Sequence, residues 1–383
     1  MAWRAKDVSE QRVELVVRAV QGGESLSGLC REYEISRPTG YLWVKRYREA
    51  GCMRGLAERS RRPRSSPGRT RTEHEERVVE LRRQYGWGAK KLVVLLAKEG
   101  IDLRIVTINR ILKRRGLLVA EECPRTAQQR FEREAPNQLW QMDFKGQWAV
   151  AEGSCYPLSI LDDHSRYLVG LHALPSIATE GVWQGLRWTF ERHGVPEALL
   201  MDHGIPWWSM TQGHGLTRLA VALMGQGIRL YYSGYGHPQT QGKIERMHRS
   251  LKHRIDGWGR PQTMAASVEA LAAFRSEYNQ VRPHEALGME VPAQRYQSSP
   301  KAYESHPREW EYATGMEVTR LNSEGFVTLG ARRYFVCEAL AEQRVGTERL
   351  ENKVLVRYRQ HWIREIDLLS GRTSALVLPD SHP

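Results

Sequence analysis

Three carboxylates occupy positions that a catalytic or metal-binding role explains better than exposure to solvent does. Asp143 lies within the strand-like stretch "LWQMDFKG", although aspartate is depleted in strands. Asp202 ends the apolar run "EALLMDHG", at the kind of position where α/β sheets often bind ligands. Glu245 is the single acid of "KIERMHRSLKHR". Because convergent carboxylates suit Mg²⁺ or Mn²⁺, which favour oxygen ligands, these residues predict a divalent metal site.

The predicted helix that carries Glu245 has an unusual charge pattern. A solvated helix face usually alternates the two signs of charge, whereas here one acid stands in a basic field. Two interpretations are open. Glu245 reduces the positive charge of a DNA-binding helix, or it binds a metal ion at a place that a polyanion approaches. We expect the surrounding cations to contact DNA, and these are Lys243, Arg246, Arg249 and Lys252.

The elements around these acids predict an α/β core over residues 136–284. Three strand-like stretches precede a helix, and a short buried strand, a second helix, another strand and a long helix from about Gln239 follow. Three antiparallel strands followed by alternating helix and strand make a mixed sheet covered by helices. If the first and fourth strands are neighbours and the long helix crosses their ends, the three carboxylates converge.

The distribution of charge points to a nucleic acid as partner. Residues 1–130 contain 29 Lys+Arg and 16 Asp+Glu, so the entire net charge of +13 lies in the first third of the 383-residue chain. Such asymmetry suggests a nucleic-acid-binding region attached to a neutral working domain.

Residues 1–52 follow a helix-turn-helix pattern of three short helices. Ser9, Ser25 and Ser36 are the predicted N-caps, and Gly22 ends the first helix. The third helix presents the residues that we expect to contact DNA, which are Arg37, Thr39, Tyr41, Lys45 and Arg46. A basic linker follows over residues 53–71, and Arg61, Arg62 and Arg64 in it are expected to contact phosphates.

A second helix-turn-helix unit is predicted over residues 72–118. Its expected DNA contacts are Lys90, Lys91, Asn109 and Arg110. Residues 119–135 form a linker to the α/β core. After that core, we predict a connector over residues 285–314 and a small β barrel or sandwich over residues 315–383, because polar and apolar residues alternate with period two around turns.

Cysteine usage and hydropathy indicate a cytoplasmic protein without a membrane contact. The five cysteines are scattered and form no C-x-x-C pair, so neither a zinc ribbon nor a disulfide framework is supported. No apolar run approaches the roughly 20 residues of a membrane span, and the N-terminus lacks a signal-peptide core.

Five stretches in the middle of the chain resemble, in the same order, the DDE transposases of the integrase-core type, in particular the IS481/IS3-like insertion-sequence transposases. They span about residues 136–296 and are "PNQLWQMDFKG", "SILDDHSRYLVG", "LLMDHG", "HPQTQGKIERMHRSLK" and "YNQVRPHEALGMEVPAQRY". The resemblance implies an RNase H-like core between the all-α N-terminal domains and the small all-β C-terminal domain. It also places Asp143, Asp202 and Glu245 on the family's three metal-binding acids.

The resemblance further implies a bacterial transposase that uses two Mg²⁺ or Mn²⁺ ions per active site, about 3.5–4 Å apart. Its partners would be double-stranded DNA, both the terminal inverted repeats of the element and the target, and further copies of itself in a homodimer or higher oligomer on paired ends. Two departures stand out. His203 replaces the Asn that commonly follows the second acid, and "PWWSMTQGHG" enlarges the loop after it.

Other residues near these stretches admit ordinary structural explanations. Asp162 and Asp163 fall between two predicted strands, where a hairpin turn accounts for them. Trp207 and Trp208 either pack in the core or stack on an unpaired base.

Two rival functions stay open. The chain is either a transposase-derived DNA-binding regulator with an inactive core, or an RNase H-like nuclease without strand transfer. The intact acids argue against the first, and the tandem DNA-reading units argue against the second.

Overall fold

The computed structural model describes residues 7–58, 68–118, 132–209, 215–233 and 241–379. By its internal contacts the chain divides into two compact units, Met1–Thr70 and Arg71–Pro383. The finer domain boundaries drawn from the sequence stay a prediction. None of the helices in the described parts of the chain is both long and apolar enough to span a membrane.

The first unit contains three helices and a short 3-10 turn. The helices are α1 (Val8–Gln21), α2 (Leu26–Glu32) and α3 (Arg37–Ala50). Ser25 and Ser36 cap α2 and α3 as predicted, since their hydroxyls accept from Gly28 N and Thr39 N. The predicted cap Ser9 is wrong: α1 begins two residues earlier than a Ser9 cap requires, at Val8, and Asp7 caps it together with Glu10. A carboxylate at this end also complements the positive end of the helix dipole.

The second unit begins with another group of three helices. They are α4 (Thr72–Tyr85), α5 (Ala89–Lys98) and α6 (Ile105–Arg114). Apolar residues at helical spacing, such as Val78, Leu92 and Ile108, close a small core of their own.

A six-stranded sheet follows this helical group. Its strands are β1 (Trp140–Phe144), β2 (Trp148–Val150), β3 (Gly153–Asp162), β4 (Leu168–Leu174), β5 (Ala198–Met201) and β8 (Arg229–Tyr232). β3 pairs antiparallel with β1, β2 and β4, whereas β1–β5 and β5–β8 are parallel. The predicted first and fourth strands, β1 and β5, are therefore neighbours. This strand order is the RNase H-like arrangement that the sequence predicted.

Four helices accompany the sheet, together with a hairpin in the enlarged loop. The helices are α7 (Thr179–His193), α8 (Arg218–Gly225), α9 (Gly242–Trp258) and α10 (Met264–Gln280). The stretch "PWWSMTQGHG" contributes two short paired strands, β6 (Trp208–Ser209) and β7 (Gly215–Leu216). Arg254 of α9 donates a hydrogen bond to Gln84 O and so connects the second helical group to the helices of the sheet.

The C-terminal part is all β, as predicted, but its strands do not form a barrel. The seven strands are β9 (Glu317–Arg320), β10 (Phe326–Leu329), β11 (Arg332–Phe335), β12 (Arg344–Leu350), β13 (Lys353–Tyr358), β14 (His361–Asp367) and β15 (Thr373–Pro379). Five of them form one antiparallel sheet in the order β15-β14-β13-β12-β9, and β10 and β11 pair separately. Closure is unnecessary because the buried face of this sheet packs on the α/β core. Short 3-10 turns lie at Met53–Leu56, Glu285–Leu287, Pro292–Gln294 and Glu338–Leu340.

One hydrophobic cluster joins the two sheets of the second unit. It includes Leu230 from β8 and Ile363 from β14, which are 0% and 1% exposed. A buried polar contact accompanies it, since Leu230 N donates to His361 Nε2 at 2.9 Å. His361 is fully buried, and burial, with help from Arg229 and Arg357, lowers its pKa from 6.5 to about 3.

His361 should make the stability of the second unit sensitive to acid. As the pH falls from 6.5 toward 3, the unfolded chain takes up a proton at this ring and the folded chain does not. This group alone should then lower the free energy of unfolding by up to about 1.4 kcal/mol per pH unit. His361→Gln keeps a side-chain acceptor but cannot take up a proton. In urea unfolding between pH 7 and pH 4, its free energy of unfolding should therefore fall less than that of the wild type.

The matched control is His306→Gln, since His306 is exposed. Its pH profile should run parallel to that of the wild type. If His361→Gln also ran parallel, His361 would have to carry a proton in the folded chain.

Candidate active site

Asp143 is placed near the end of β1, with its side chain 24% exposed. Burial is the main reason that its pKa rises from 3.8 to about 7, and the negative charges of Asp202 and Glu245 raise it further. The Phe144 N–H, which donates to Asp143 Oδ1 at 2.8 Å, and the charge of Lys145 act in the opposite direction. The structure therefore brings the other two predicted acids within electrostatic reach of Asp143.

Asp202 directly follows β5, at the same sheet edge as Asp143. Its Oδ1 accepts from Trp207 Nε1 at 2.8 Å and from Gly204 N at 3.0 Å. Trp207 is 1% exposed and stacks on Phe144, with ring centroids 5.4 Å apart. Of the two explanations for this tryptophan, core packing is the one that the structure supports. No local sequence signal indicated that its indole N–H also donates to the second acid.

The residues that departed from the family pattern lie beside this acid. His203 forms an edge contact with Trp208, at 4.7 Å between ring centroids, and both rings contact Tyr232. The enlarged loop thus supplies an aromatic wall next to Asp202.

Glu245 lies in the first turn of α9, as predicted, and its side chain is exposed. The opposite face of the helix is apolar and buried, with Ile244, Met247 and Leu251 each at most 1% exposed. Packing of this face fixes α9 across the sheet, so that Glu245 lies at the border between the core and solvent.

His248 lies one turn further along α9 and contacts the first acid. Its Nδ1 is 3.7 Å from Asp143 Oδ2, and its Nε2 is hydrogen-bonded with Ser159 Oγ at 3.0 Å. Burial, with a smaller effect from Lys145, lowers the pKa of His248 to about 3, so the ring is neutral at pH 7. No local sequence signal indicated this contact between His248 and Asp143.

The three acids fit a divalent metal by the chemistry of their oxygens, while their side chains are not yet gathered around one point. Within the described residues, no three His, Cys, Asp or Glu side chains lie close enough together to hold a metal ion. Burial first, and then the charges of Asp202 and Glu245, raise the pKa of Asp143, so its ionised form is disfavoured here without a compensating cation. A divalent cation would supply that compensation.

Among the predicted DNA contacts of α9, Lys243 differs from the others. Its Nζ forms an ion pair with Asp163 Oδ2 at 2.6 Å, and its side chain is only 18% exposed. Arg246, Arg249 and Lys252 are exposed, as a phosphate-binding surface requires. Asp163, which the sequence assigned to a hairpin turn, does follow β3, but it is fully buried and serves as the partner of Lys243.

The remaining predicted DNA contacts lie on the two helical groups. On α3, Arg37, Tyr41 and Lys45 are exposed, whereas Arg46 is half-buried beneath Trp43, with its guanidinium 4.8 Å from the ring centroid. Thr39 is half-buried as well, and its hydroxyl is hydrogen-bonded with Ser36 Oγ. Arg61, Arg62 and Arg64 lie outside the described residues.

In the second helical group, Asn109 and Arg110 are exposed on α6. Lys90, at the start of α5, forms an exposed ion pair with Glu285 at 3.0 Å, and Lys91 beside it is half-buried. Of these four residues, Asn109 and Arg110 are therefore exposed on the described surface, and Lys90 is paired with Glu285.

Four family models match the chain. Two are described as "Integrase core domain" and match residues 133–238 and 226–292. A "Helix-turn-helix domain" matches residues 11–64, and a "Homeodomain-like domain" matches residues 39–112.

Curated relatives agree with these models. The chain is 30% identical over 146 residues to proteins named as transposases for insertion sequence element IS986/IS6110, from Mycobacterium tuberculosis (strain ATCC 25177 / H37Ra) and Mycobacterium bovis (strain ATCC BAA-935 / AF2122/97). The match covers 32% of this chain and 50% of each relative. The chain thus spans about half the length of the curated relatives that it matches.

Two solved retroviral structures also resemble the chain. The catalytic core domain of HTLV-2 integrase in complex with magnesium matches with a TM-score of 0.34 and 13% identity, over 43% of this chain and 99% of that one. A chain of the simian T-cell lymphotropic virus intasome, in complex with PP2A regulatory subunit B56 gamma, matches with a TM-score of 0.37 and 14% identity, over 79% and 99%.

Strand order, integrase-core models and insertion-sequence relatives point the same way. Residues 133–292 therefore match integrase-core models, residues 11–112 match helix-turn-helix and homeodomain-like models, and the chain is similar to insertion-sequence transposases.

Proposed function

We propose that this chain is an insertion-sequence transposase of the IS481/IS3-like group, which cuts and joins DNA strands by metal-dependent phosphoryl transfer. The observation that carries the proposal is the placement of the three acids: Asp143 near the end of β1, Asp202 directly after the parallel neighbour β5, and Glu245 in the first turn of α9. Asp143 has its pKa raised to about 7 because it is buried and because Asp202 and Glu245 are near. A cluster of carboxylates is energetically unfavourable without a cation to compensate its charge. Integrase-core proteins use a divalent cation in catalysis.

In this proposal Asp143, Asp202 and Glu245 hold the metal. When bound, Mg²⁺ or Mn²⁺ would supply charge stabilisation for both the attacking and the leaving oxygen, with two ions per site. Trp207 Nε1 and Gly204 N donate to Asp202 Oδ1 and so orient this carboxylate. Arg246, Arg249 and Lys252 lie exposed on α9 and would hold the phosphates.

Two displacements at phosphorus would follow each other at this site. Water would first attack the end of the element, forming one P–O bond as the bond to the 3′ oxygen breaks. The freed 3′-hydroxyl would then attack a phosphodiester of the target and release a strand end there. Each step makes one P–O bond and breaks one, so no covalent intermediate with the protein is needed.

A DNA-binding regulator with an inactive core is the second candidate, and one observation favours it. The acids in the described residues are not gathered into a group of three ligands. A transposase needs a cation to draw them together, whereas a regulator needs no such closure. Metal binding and strand cleavage by the wild type decide between the two.

Neutral variants of the three acids test the catalytic proposal. Asp143→Asn, Asp202→Asn and Glu245→Gln keep the shape of each side chain and remove its charge. Each should lower the rate of strand cleavage by roughly 100-fold or more, and pairs should lower it little further, because the acids act as one unit. Cleavage and joining of labelled element ends in Mg²⁺ or Mn²⁺ would be measured beside end binding, which should persist.

Glu269→Gln provides the matched control, since Glu269 is an exposed acid on α10. Its cleavage rate should equal that of the wild type. If the wild type bound element ends but cut them in no metal, the regulator would be the correct function.

We also propose that the N-terminal helices read the ends of the element. Arg37→Ala should reduce the preference for element ends over random DNA by roughly 5-fold to 150-fold, because an arginine that contacts a base edge contributes that much to discrimination. Binding would be measured at several salt concentrations, since each phosphate contact changes the log–log slope by about 0.9. Arg31→Ala, at an exposed arginine of α2, is the control. Equal preference in both variants would remove Arg37 from the recognition surface.

Because two ends must be cut and joined together, we propose a dimer or higher oligomer on paired DNA ends. Light scattering of the protein–DNA complex should give the mass of at least two chains. A complex with a single chain that still joins ends to target would contradict this.

A further inference from the structure

The first turn of α9 is held against the sheet by a buried polar network. Asp163 accepts from Gln141 Nε2 at 2.9 Å through Oδ1, and its Oδ2 pairs with Lys243 Nζ at 2.6 Å. Lys243 Nζ also donates to Asp163 O at 3.1 Å. Gln141 Oε1 in turn accepts from Ile244 N at 3.2 Å. One glutamine of β1 and one aspartate after β3 thus bind both the side chain and the backbone of α9.

These contacts lie next to the proposed metal ligands in the sequence. Gln141 precedes Asp143 by two residues on β1, and Lys243 precedes Glu245 by two residues on α9. A displacement of the network therefore displaces the backbone from which one or both of these acids extend.

Burial of this network costs free energy, because its polar and charged groups lose their contacts with water. Gln141 and Asp163 are fully buried, and burial lowers the pKa of Lys243 although the charge of Asp163 raises it. A buried ion pair is a poor source of net stability, because desolvation offsets the attraction, but it can fix a unique arrangement. Its placement here suggests that the arrangement being fixed is the angle and register of α9.

A second contact holds α9 on the other side of Glu245. His248 is hydrogen-bonded with Ser159, and Ser159 is the residue opposite Asp143 in the β1–β3 ladder. Glu245 thus lies between two polar contacts to the strands around Asp143.

We propose that Gln141, Asp163 and Lys243 are positioning residues, which set the place of Glu245 relative to Asp143 and so complete the metal site. The inference rests on the proposed function. It removes Lys243 from the DNA-contacting surface, since its ammonium group is committed to Asp163, and leaves phosphate binding on α9 to the exposed cations.

The test uses the full-length chain and four variants. Asp163→Asn and Lys243→Met each leave one buried charge without its partner, and the double variant removes both charges. Gln141→Met keeps both members of the ion pair and removes the acceptor of Ile244 N together with the donor to Asp163 Oδ1, so it tests the network without leaving a charge unpaired. The control is a pair at the C-terminal end of α9, Asp256→Asn on the helix with Arg260→Met just beyond it, whose exposed partners lie 3.2 Å apart.

Metal binding is read from luminescence of Tb³⁺, an oxygen-seeking ion that Trp207 can sensitise from beside Asp202, and from titration with Mn²⁺. Binding of element ends across a salt series and the melting temperature are measured on the same samples. Strand cleavage at saturating DNA is compared with the DNA concentration that gives half the maximal rate.

Each single variant and Gln141→Met should weaken metal binding by about 10-fold or more, the size expected when a supporting contact of a ligand is lost. The maximal cleavage rate should fall, whereas end affinity, its salt slope and the half-saturating DNA concentration should stay at wild-type values. The double variant should recover part of the metal affinity and of the melting temperature, because no unpaired charge is left buried. The control pair should bind metal as the wild type does.

Two results would overturn the inference. One is wild-type metal affinity in folded Gln141→Met and in the folded double variant. The other is a loss of DNA affinity with a shallower salt slope in Lys243→Met alone, which would make Lys243 a phosphate contact. If the wild type itself bound neither Tb³⁺ nor Mn²⁺ and cut no DNA, the proposed function would fail and the inference with it.

Discussion

The parallel pairing of β1 with β5 is the constraint from which the candidate site follows. Parallel neighbours end at the same edge of a sheet, so Asp143 near the end of one strand and Asp202 just past the other are brought to one place. The two charges disfavour each other there, and burial of Asp143 strengthens the effect. A third acid can join them only if a helix crosses this edge in a fixed register, which is why the anchoring of α9 matters.

Much of the sheet, and the positions of the three candidate acids on its strands and on α9, could be predicted from local sequence signals, whereas their role as metal ligands stays a prediction. Apolar runs bounded by turn residues marked the strands, and an aspartate inside such a run stood out against strand propensity. Lys243 and Asp163 could not be placed in this way, because each looks like an ordinary surface charge in its own segment. Only the approach of α9 to the end of β3 shows that they are buried together.

Two further features could not be predicted from local sequence signals. They are the tryptophan that donates to Asp202 and the open form of the C-terminal sheet. The hydrogen bond from Trp207 depends on how the enlarged loop folds back, which no periodicity reveals. Alternating residues after position 315 correctly indicated strands, but the choice between a closed barrel and an open sheet depends on what covers the apolar face. Here the α/β core covers it, with residues such as Leu230 and Ile363 in one cluster.

The hydrophobic cluster that the α/β core shares with the C-terminal sheet determines which truncated forms of this chain keep a covered core. A premature stop codon ahead of β9 would remove Val345, Val356 and Ile363 and leave the apolar residues they cover, including Leu223 and Leu230, without neighbours. The shortened product would present a large apolar surface and become a substrate for proteases and chaperones. A stop codon just after Thr70 would instead leave the first unit with its own core of Leu15, Val16, Val44 and Leu56. Truncation after Thr70 therefore leaves a unit with a hydrophobic core of its own, whereas truncation ahead of β9 exposes the core of the second unit.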